Sequence, residues 1–331
     1  MSAAPAGPAG DRVRVLYVGG TGRSGSTLLD RLVGQVPGAV SLGEVVHLWA
    51  RGVRDDERCG CGEAFSSCPF WTAVGDRAFG GWDRIDVERV LALQRAVDRN
   101  RFIPFALVPS ASPRYRRDVR AYAPYVEGVL RAAGEVAGAR VVIDSSKHPS
   151  TAAVYRGIPG LDLRVIHLVR DPRGVAYSWT KQVVKPEVAG RDELMPRFRP
   201  AKMARWWLAF NALFDVLAVT GVPTMVMRYE SLTEHPRAEL DRALRFARLP
   251  RGGDALGFVD DPGRSPAGAE PGTVRLGPAH TVAGNPMRFA TGRVELRADE
   301  AWRTELAPVD ERTVTMLTRP LLRRYGYGVR A

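Results

Sequence analysis

The sequence predicts an α/β protein with a mainly parallel central sheet flanked by helices. Short apolar runs, each long enough for one buried strand, alternate with stretches of helical periodicity. The first run closes on a glycine-rich turn that opens a helix, and no internal repeat suggests a solenoid. In such sheets ligands bind beyond the carboxyl ends of the strands, so the loops after Val18, Ile143, Val169 and Met227 should carry the site.

Residues 14–18 form the first apolar run, ended by Gly19 and Gly20. Residues 26–34 follow with Leu28, Leu29, Leu32 and Val33 at helical spacing, and 39–42 read as a short strand. Residues 51–82, rich in Gly, Cys and charge, read as an inserted loop. Helices are expected over 86–99 and 117–136, with Ser112 and Pro113 marking a break between them. Further strands fall at 140–143, 163–169 and 224–227. Asp171 and Pro172 start a helix, with proline at its first position, and 200–219 form a helix rich in aromatics. Another helix starts near Ser231, residues 251–295 read mostly as loop, and helices around 299–306 and 309–325 end the chain.

At 331 residues the chain is long enough for a full core, and a single domain over 13–331 behind a flexible tail, 1–12, is the expectation. The tail lacks the basic and apolar regions of a secretory signal, and no apolar run approaches the ~18 residues of a membrane span, which points to a cytoplasmic protein. The net charge of +12 comes almost wholly from arginine, Lys147, Lys181, Lys185 and Lys202 being the lysines. These arginines are scattered rather than blocked. That argues against nucleic acid and for a composition bias together with a small anionic ligand.

Residues 19–27 (GGTGRSGST) sit at the strand-to-helix turn, where backbone N–H groups can converge on a phosphate. Gly20, Gly22 and Gly25 permit the close approach, and Ser24, Ser26 and Thr27 add hydroxyls. Aligned on Gly20 and Gly25, the loop has Ser26 where a Walker motif has lysine, and the basic group is Arg23. That weighs against ATP or GTP hydrolysis. Because 141–144 (VVID) imitates a Walker-B strand, an ATP-dependent P-loop small-molecule kinase stays as the alternative. A non-catalytic nucleotide-binding module is a third reading.

The run GRSGSTLL resembles the 5′-phosphosulfate loop of sulfotransferases that use 3′-phosphoadenosine 5′-phosphosulfate (PAPS). The run LVRDPRGVAYS, with Arg170 at a strand end and Ser178 eight residues on, is similar to that family's 3′-phosphate motif. RYESL at 228–232 looks like its structural strand-to-helix junction, and HTVAGNPMRF at 280–289 like the late loop that covers the nucleotide in bacterial members. The resemblance spans about residues 13–295. It implies a P-loop-like sulfotransferase fold, with 51–136 as a Cys-containing loop and helical insertion on the acceptor side and 251–295 as a nucleotide-covering loop. It also implies PAPS as donor, PAP as product and a hydroxyl or amine of a small molecule as acceptor, in natural-product, lipid or glycan modification. No metal is required.

On that resemblance Gly22, Arg23, Ser24, Gly25, Ser26, Thr27, Arg170, Ser178, Asn285 and Arg288 bind the donor. Arg23 also stabilises charge in transfer, Lys147 touches the sulfonate or bridging oxygen, and Glu44 takes the acceptor proton. His148 is the alternative base and His47 a weaker one. Asp144 and Ser145 orient that segment or cap the next helix. Cys59, Cys61 and Cys68 resemble part of a zinc site, but CxC is not the usual spacing and a fourth ligand is missing, unless His47 supplies it. A loop with free or redox-labile thiols near the acceptor pocket is the preferred reading.

Overall fold

The central strand carries apolar side chains on both faces, and this decides the layering. In β1 (Val13–Gly20) Val15 and Tyr17 face one core while Leu16 and Val18 face another, all buried. The computed structural model describes residues 12–182, 194, 196–251, 254–260 and 272–328. The expected tail, apart from its last residue, and part of the 251–295 loop lie outside the described residues.

After β1 come α1 (Ser26–Val33), β2 (Ala39–Ser41), α2 (Pro69–Phe79), α3 (Val87–Val97), α4 (Ile103–Leu107) and α5 (Pro113–Ala137). Next are β3 (Val141–Lys147), α6 (Pro149–Arg156), β4 (Leu161–Val169), α7 (Pro172–Ser178), α8 (Pro200–Val219) and β5 (Thr224–Arg228). The chain closes with α9 (Tyr229–Glu234), α10 (Pro236–Ala247), β6 (Val259–Asp260), β7 (Gly272–Leu276), β8 (Gly292–Leu296), α11 (Trp302–Glu305) and α12 (Pro308–Arg324). The first five strands form one sheet in the order β2-β3-β1-β4-β5, and every pair in it is parallel. The strand order reverses around β1, so the loops after β1 and β3 open side by side.

One face packs on residues of α2, α3, α5, α6 and α8, the other on α1, α10 and the small antiparallel sheet β6-β7-β8. The described residues of 251–295 are mostly loop, as expected, but also carry the short strands of that second sheet, which the sequence did not show. Residues 51–82 are likewise more ordered than expected, since α2 runs through them from Pro69. Ser112 marks a break between α3 and α5, as expected, but stands directly at the start of α5. Its hydroxyl accepts from the Tyr115 N–H and Pro113 takes the first helical position, so the pair starts α5 four residues early.

Candidate active site

The glycine-rich loop leaves the N-terminus of α1 open. Gly25, the residue before α1, has φ 91°, and no side chain caps the helix. A Cβ at Gly25 would run into the Tyr229 ring, so chain geometry and packing both demand glycine there. The uncapped N–H groups of the first turn face a cavity of about 440 Å³, lined by Gly22, Arg23, Gly25, Ser26 and Thr27 among others. Ser24 does not line it. Its side chain is buried, and its hydroxyl has no hydrogen-bond partner among the described residues.

Arg23 also takes a left-handed backbone (φ 69°), and its guanidinium lies 5.1 Å from the Trp179 ring centroid. The Arg23 carbonyl accepts from Arg170 at 3.0 Å, which ties the donor loop to the end of β4. Arg170 donates as well to the Asp299 carbonyl at 2.9 Å, lies 3.5 Å from the Asp299 carboxylate and stacks 4.7 Å from the Tyr229 centroid. Its neighbour Asp171 is not its partner. That carboxylate forks onto Arg173 at 2.7 and 2.9 Å and caps α7. Arg170, Ser178 and Tyr229 all line the same cavity as the loop. Tyr229, given only a structural part by the sequence, thus also faces the cavity.

Glu44 and Lys147 meet because β2 and β3 pair in parallel and leave the sheet together. Leu42 donates to the Ile143 carbonyl and Ser145 to the Gly43 carbonyl, extending the pairing past β2. A register shift against β1 then sets Lys147 opposite Gly19, with Lys147 in the left-handed region at φ 70°. Its ammonium forms an ion pair with the Glu44 carboxylate. The His47 ring lies 3.5 Å from the other Glu44 oxygen, and His148 meets His47 edge-on at 6.3 Å. All four residues line the cavity, together with Met203, Trp206 and Phe210 from α8. Burial alone would raise the Glu44 pKa, but Lys147, then His47 and His148, outweigh it and hold the carboxyl below its ordinary 4.5. Burial lowers both His47 and His148, which favours neutral rings.

Asp144 neither caps a helix nor pairs with Lys147. It is fully buried, and one carboxylate oxygen accepts from the Ser146 N–H (2.8 Å), the Ser146 hydroxyl (2.5 Å) and the Val45 N–H (3.3 Å). The other accepts from the Tyr155 hydroxyl at 2.8 Å. Asp144 therefore fixes the residue after Glu44 and the segment before Lys147. Asp144→Ala is expected to cost about 2–3 kcal/mol in denaturant unfolding, because it strands these donors. Burial raises the carboxyl from 3.8 to about 6, so the wild type loses stability as pH rises across that window. The deficit of the variant should accordingly narrow between about pH 4 and pH 6.

The late loop covers the cavity through Gly284 and Asn285, but Arg288 turns away from it. Arg288 is 1% exposed, and its guanidinium donates to the carbonyls of Thr281 (2.7 Å) and Arg58 (2.6 Å). The structure does not bring it to the phosphate region; it serves as an internal strut. Asn285 lines the cavity, yet its side chain accepts from the Met287 N–H, while its own N–H lies 3.5 Å from the Thr27 hydroxyl. Sequence reasoning missed Arg31. From α1 it donates to the carbonyls of Gly277, Ala290 (2.9 Å), Met287 (3.3 Å) and Arg288 (2.6 Å), clamping both ends of the loop. A basic residue on a helix face gives no sign in sequence of partners that are all backbone.

Cys59, Cys61 and Cys68 gather around His280 rather than His47, which belongs to the Glu44 cluster. The three cysteines are free, and none of them lines the cavity.

The pattern described as "Sulfotransferase family" matches residues 16–252, more than two thirds of the sequence. The chain therefore belongs to the sulfotransferase family, and the family does not favour the kinase alternative. Among solved structures it is similar to a sulfotransferase domain from the curacin biosynthetic pathway, at 16% identity and a TM-score of 0.51, over 96% of this chain and 99% of that one. It is also similar to the sulfotransferase domain of the Synechococcus PCC 7002 olefin synthase, at 20% identity and a TM-score of 0.47, over 95% of this chain and 96% of that one. For the sulfotransferase STF9 from Mycobacterium avium the figures are 13% and 0.47, over 96% of this chain and 78% of that one. At such identities the first of these likenesses speaks for the fold alone. No curated protein matches the chain. No helix among the described residues is long and apolar enough to cross a membrane.

Proposed function

We propose that the protein transfers a sulfuryl group from PAPS to a hydroxyl, or amine, of a small-molecule acceptor, with no metal taking part in the transfer. The observation that carries this reading is one cavity holding an uncapped glycine-rich helix N-terminus, Arg170 with Ser178, and the Glu44–Lys147 pair. The loop amides with Ser26 and Thr27 suit the 5′-phosphosulfate, and Arg170 with Ser178 suits the 3′-phosphate. In the reaction the acceptor oxygen bonds to sulfur as the sulfur–oxygen bond to PAP breaks. Glu44 takes the acceptor proton, and PAP leaves with the bonding pair. Arg23 and Lys147 offset the charge that develops on the bridging oxygen.

Lys147 has a second part in this scheme. Its ion pair with Glu44 is to be exchanged for the sulfonate, which frees the carboxylate for the acceptor. The apolar side chains of Trp206, Phe210 and Met203 lining the same cavity suit an acceptor with an aromatic or aliphatic body.

Calorimetric titration with PAP, AMP and ATP, each with and without magnesium, tests the donor. PAP should bind most tightly, with no effect of magnesium. Preference for ATP with magnesium, or equal binding of PAP and AMP, would overturn the reading of Arg170 and Ser178.

A further inference from the structure

Cys59, Cys61, Cys68 and His280 form a cluster that the transfer chemistry does not use. Their ligand atoms all lie within 4.8 Å of one another. The Cys59–Cys68 and Cys61–Cys68 sulfurs are 3.6 and 3.7 Å apart, and His280 Nδ1 lies 3.2 Å from Cys68 and 3.9 Å from Cys59. Four ligands at about 2.3 Å (sulfur) and 2.0 Å (nitrogen) around a tetrahedral zinc stand about 3.5–3.8 Å apart. Four of the six pairs, at 3.2–3.9 Å, stand close to that spacing, and all six lie within 4.8 Å, so small shifts would close the cluster on an ion. All three cysteines are free, and Cys59 and Cys68 are buried.

The surroundings are built to the same end. Arg58 and Ala64 form an antiparallel bridge that turns the chain back through Cys59-Gly60-Cys61-Gly62. Phe70 stacks on the His280 ring at 5.1 Å and 16°, which fixes its plane. A Cβ at Gly60 would strike Thr281, so the two chain segments touch at backbone level.

We infer that these four residues bind one structural zinc ion. The coordination sphere is complete in protein ligands and lies outside the cavity, so the metal serves architecture rather than transfer. It joins the hairpin at 58–64 to the late loop at 279–289. Around it Gly60 donates to the Thr281 carbonyl, Val282 to the Leu42 carbonyl and Arg288 to the Arg58 carbonyl. Leu42 lies two residues before Glu44, and Asn285 five residues after His280. Zinc thereby holds the cover of the cavity in register with the carboxylate below it.

Elemental analysis of the untagged full-length protein, expressed in zinc-containing medium and purified without chelator, should find about one zinc per chain. Cobalt exchanged into the site should give the intense visible bands of a tetrahedral cobalt thiolate. Chelator competition should show zinc held at least about a hundredfold less tightly in Cys61→Ser and in His280→Ala. Removing zinc from the wild type should speed hydrogen exchange at the Gly60 and Val282 amides about tenfold or more, with β4 amides unchanged as an internal check that the fold survives. Metal-free protein with freely reactive thiols, or a disulfide between two of the three cysteines, would overturn the inference. So would zinc held equally well in both variants. None of these readouts involves donor or acceptor, so the transferase reading and the zinc site fail separately.

Discussion

Replacing Glu44 by Gln is expected to lower kcat by about 10²- to 10⁴-fold, the usual worth of a positioned general base. The substitution keeps the side-chain shape and removes the proton acceptor. PAP affinity should hold or tighten slightly, because Lys147 loses the carboxylate that now occupies it. The pH profile gives a second reading. Lys147 and the two histidines hold the Glu44 carboxyl below 4.5 against its burial, so the base is ionised throughout the neutral range. Its folded pKa is depressed, so its stabilising effect is present above the unfolded value and is lost as pH falls through the folded one. The acid limb of kcat/KM should therefore lie below about pH 4.5. Steady-state rates of sulfuryl transfer with calorimetric PAP affinities decide the matter. Full activity in Glu44→Gln, with collapse in His148→Ala, would move the role of base to His148.

Arg170→Ala should weaken PAP binding by about 10²- to 10³-fold while changing AMP binding much less. Arg170 is 7% exposed, and its guanidinium is held by two carbonyls, the Asp299 carboxylate and the Tyr229 face, so its fork is fixed before a ligand arrives. Asp299 is shared with Lys181 at 3.0 Å. Burial raises this carboxyl, but Lys181 and Arg170 outweigh it and keep it below its ordinary value, so an anion already neutralises the subsite. A 3′-phosphate has to displace that carboxylate from Arg170. Arg170→Lys, which keeps charge without the fork, should recover only part of the loss. Parallel titrations of PAP and AMP read the difference, and equal losses for both ligands would show a general collapse of the loop instead.

The strands were legible because their signal is local. Val15, Leu16, Tyr17 and Val18 in β1, Val141, Val142 and Ile143 in β3, and Val165, Ile166, Leu168 and Val169 in β4 are apolar on both faces and buried. The meeting of Glu44 and Lys147 was legible at one remove, since both follow strands of a parallel sheet and such strands empty their loops at one edge. Arg288 was misread for a physical reason. A cation in a loop near phosphate-binding residues answers equally well to a ligand or to the backbone carbonyls a tight loop leaves unpaired, and here the carbonyls of Thr281 and Arg58 claim it. The fourth partner of the cysteines was out of reach altogether, because His280 stands 212 residues from Cys68. The antiparallel sheet over 251–295 was hidden by glycines and prolines that speak for turns, while its strands of two to five residues are too short to show alternation.

The Arg31 clamp has a consequence for the order in which the molecule is made. Its partners at Gly277 and Arg288 lie 246 and 257 residues downstream, so the contacts close only after those segments have left the ribosome. Contacts of such separation form late and slowly, after local elements have docked. The glycine-rich loop, Glu44 and Lys147 are all synthesised well before the segment that roofs them. A growing chain thus carries its glycine-rich loop before it carries a cover, and the cavity can be roofed only once residues 277–290 have emerged.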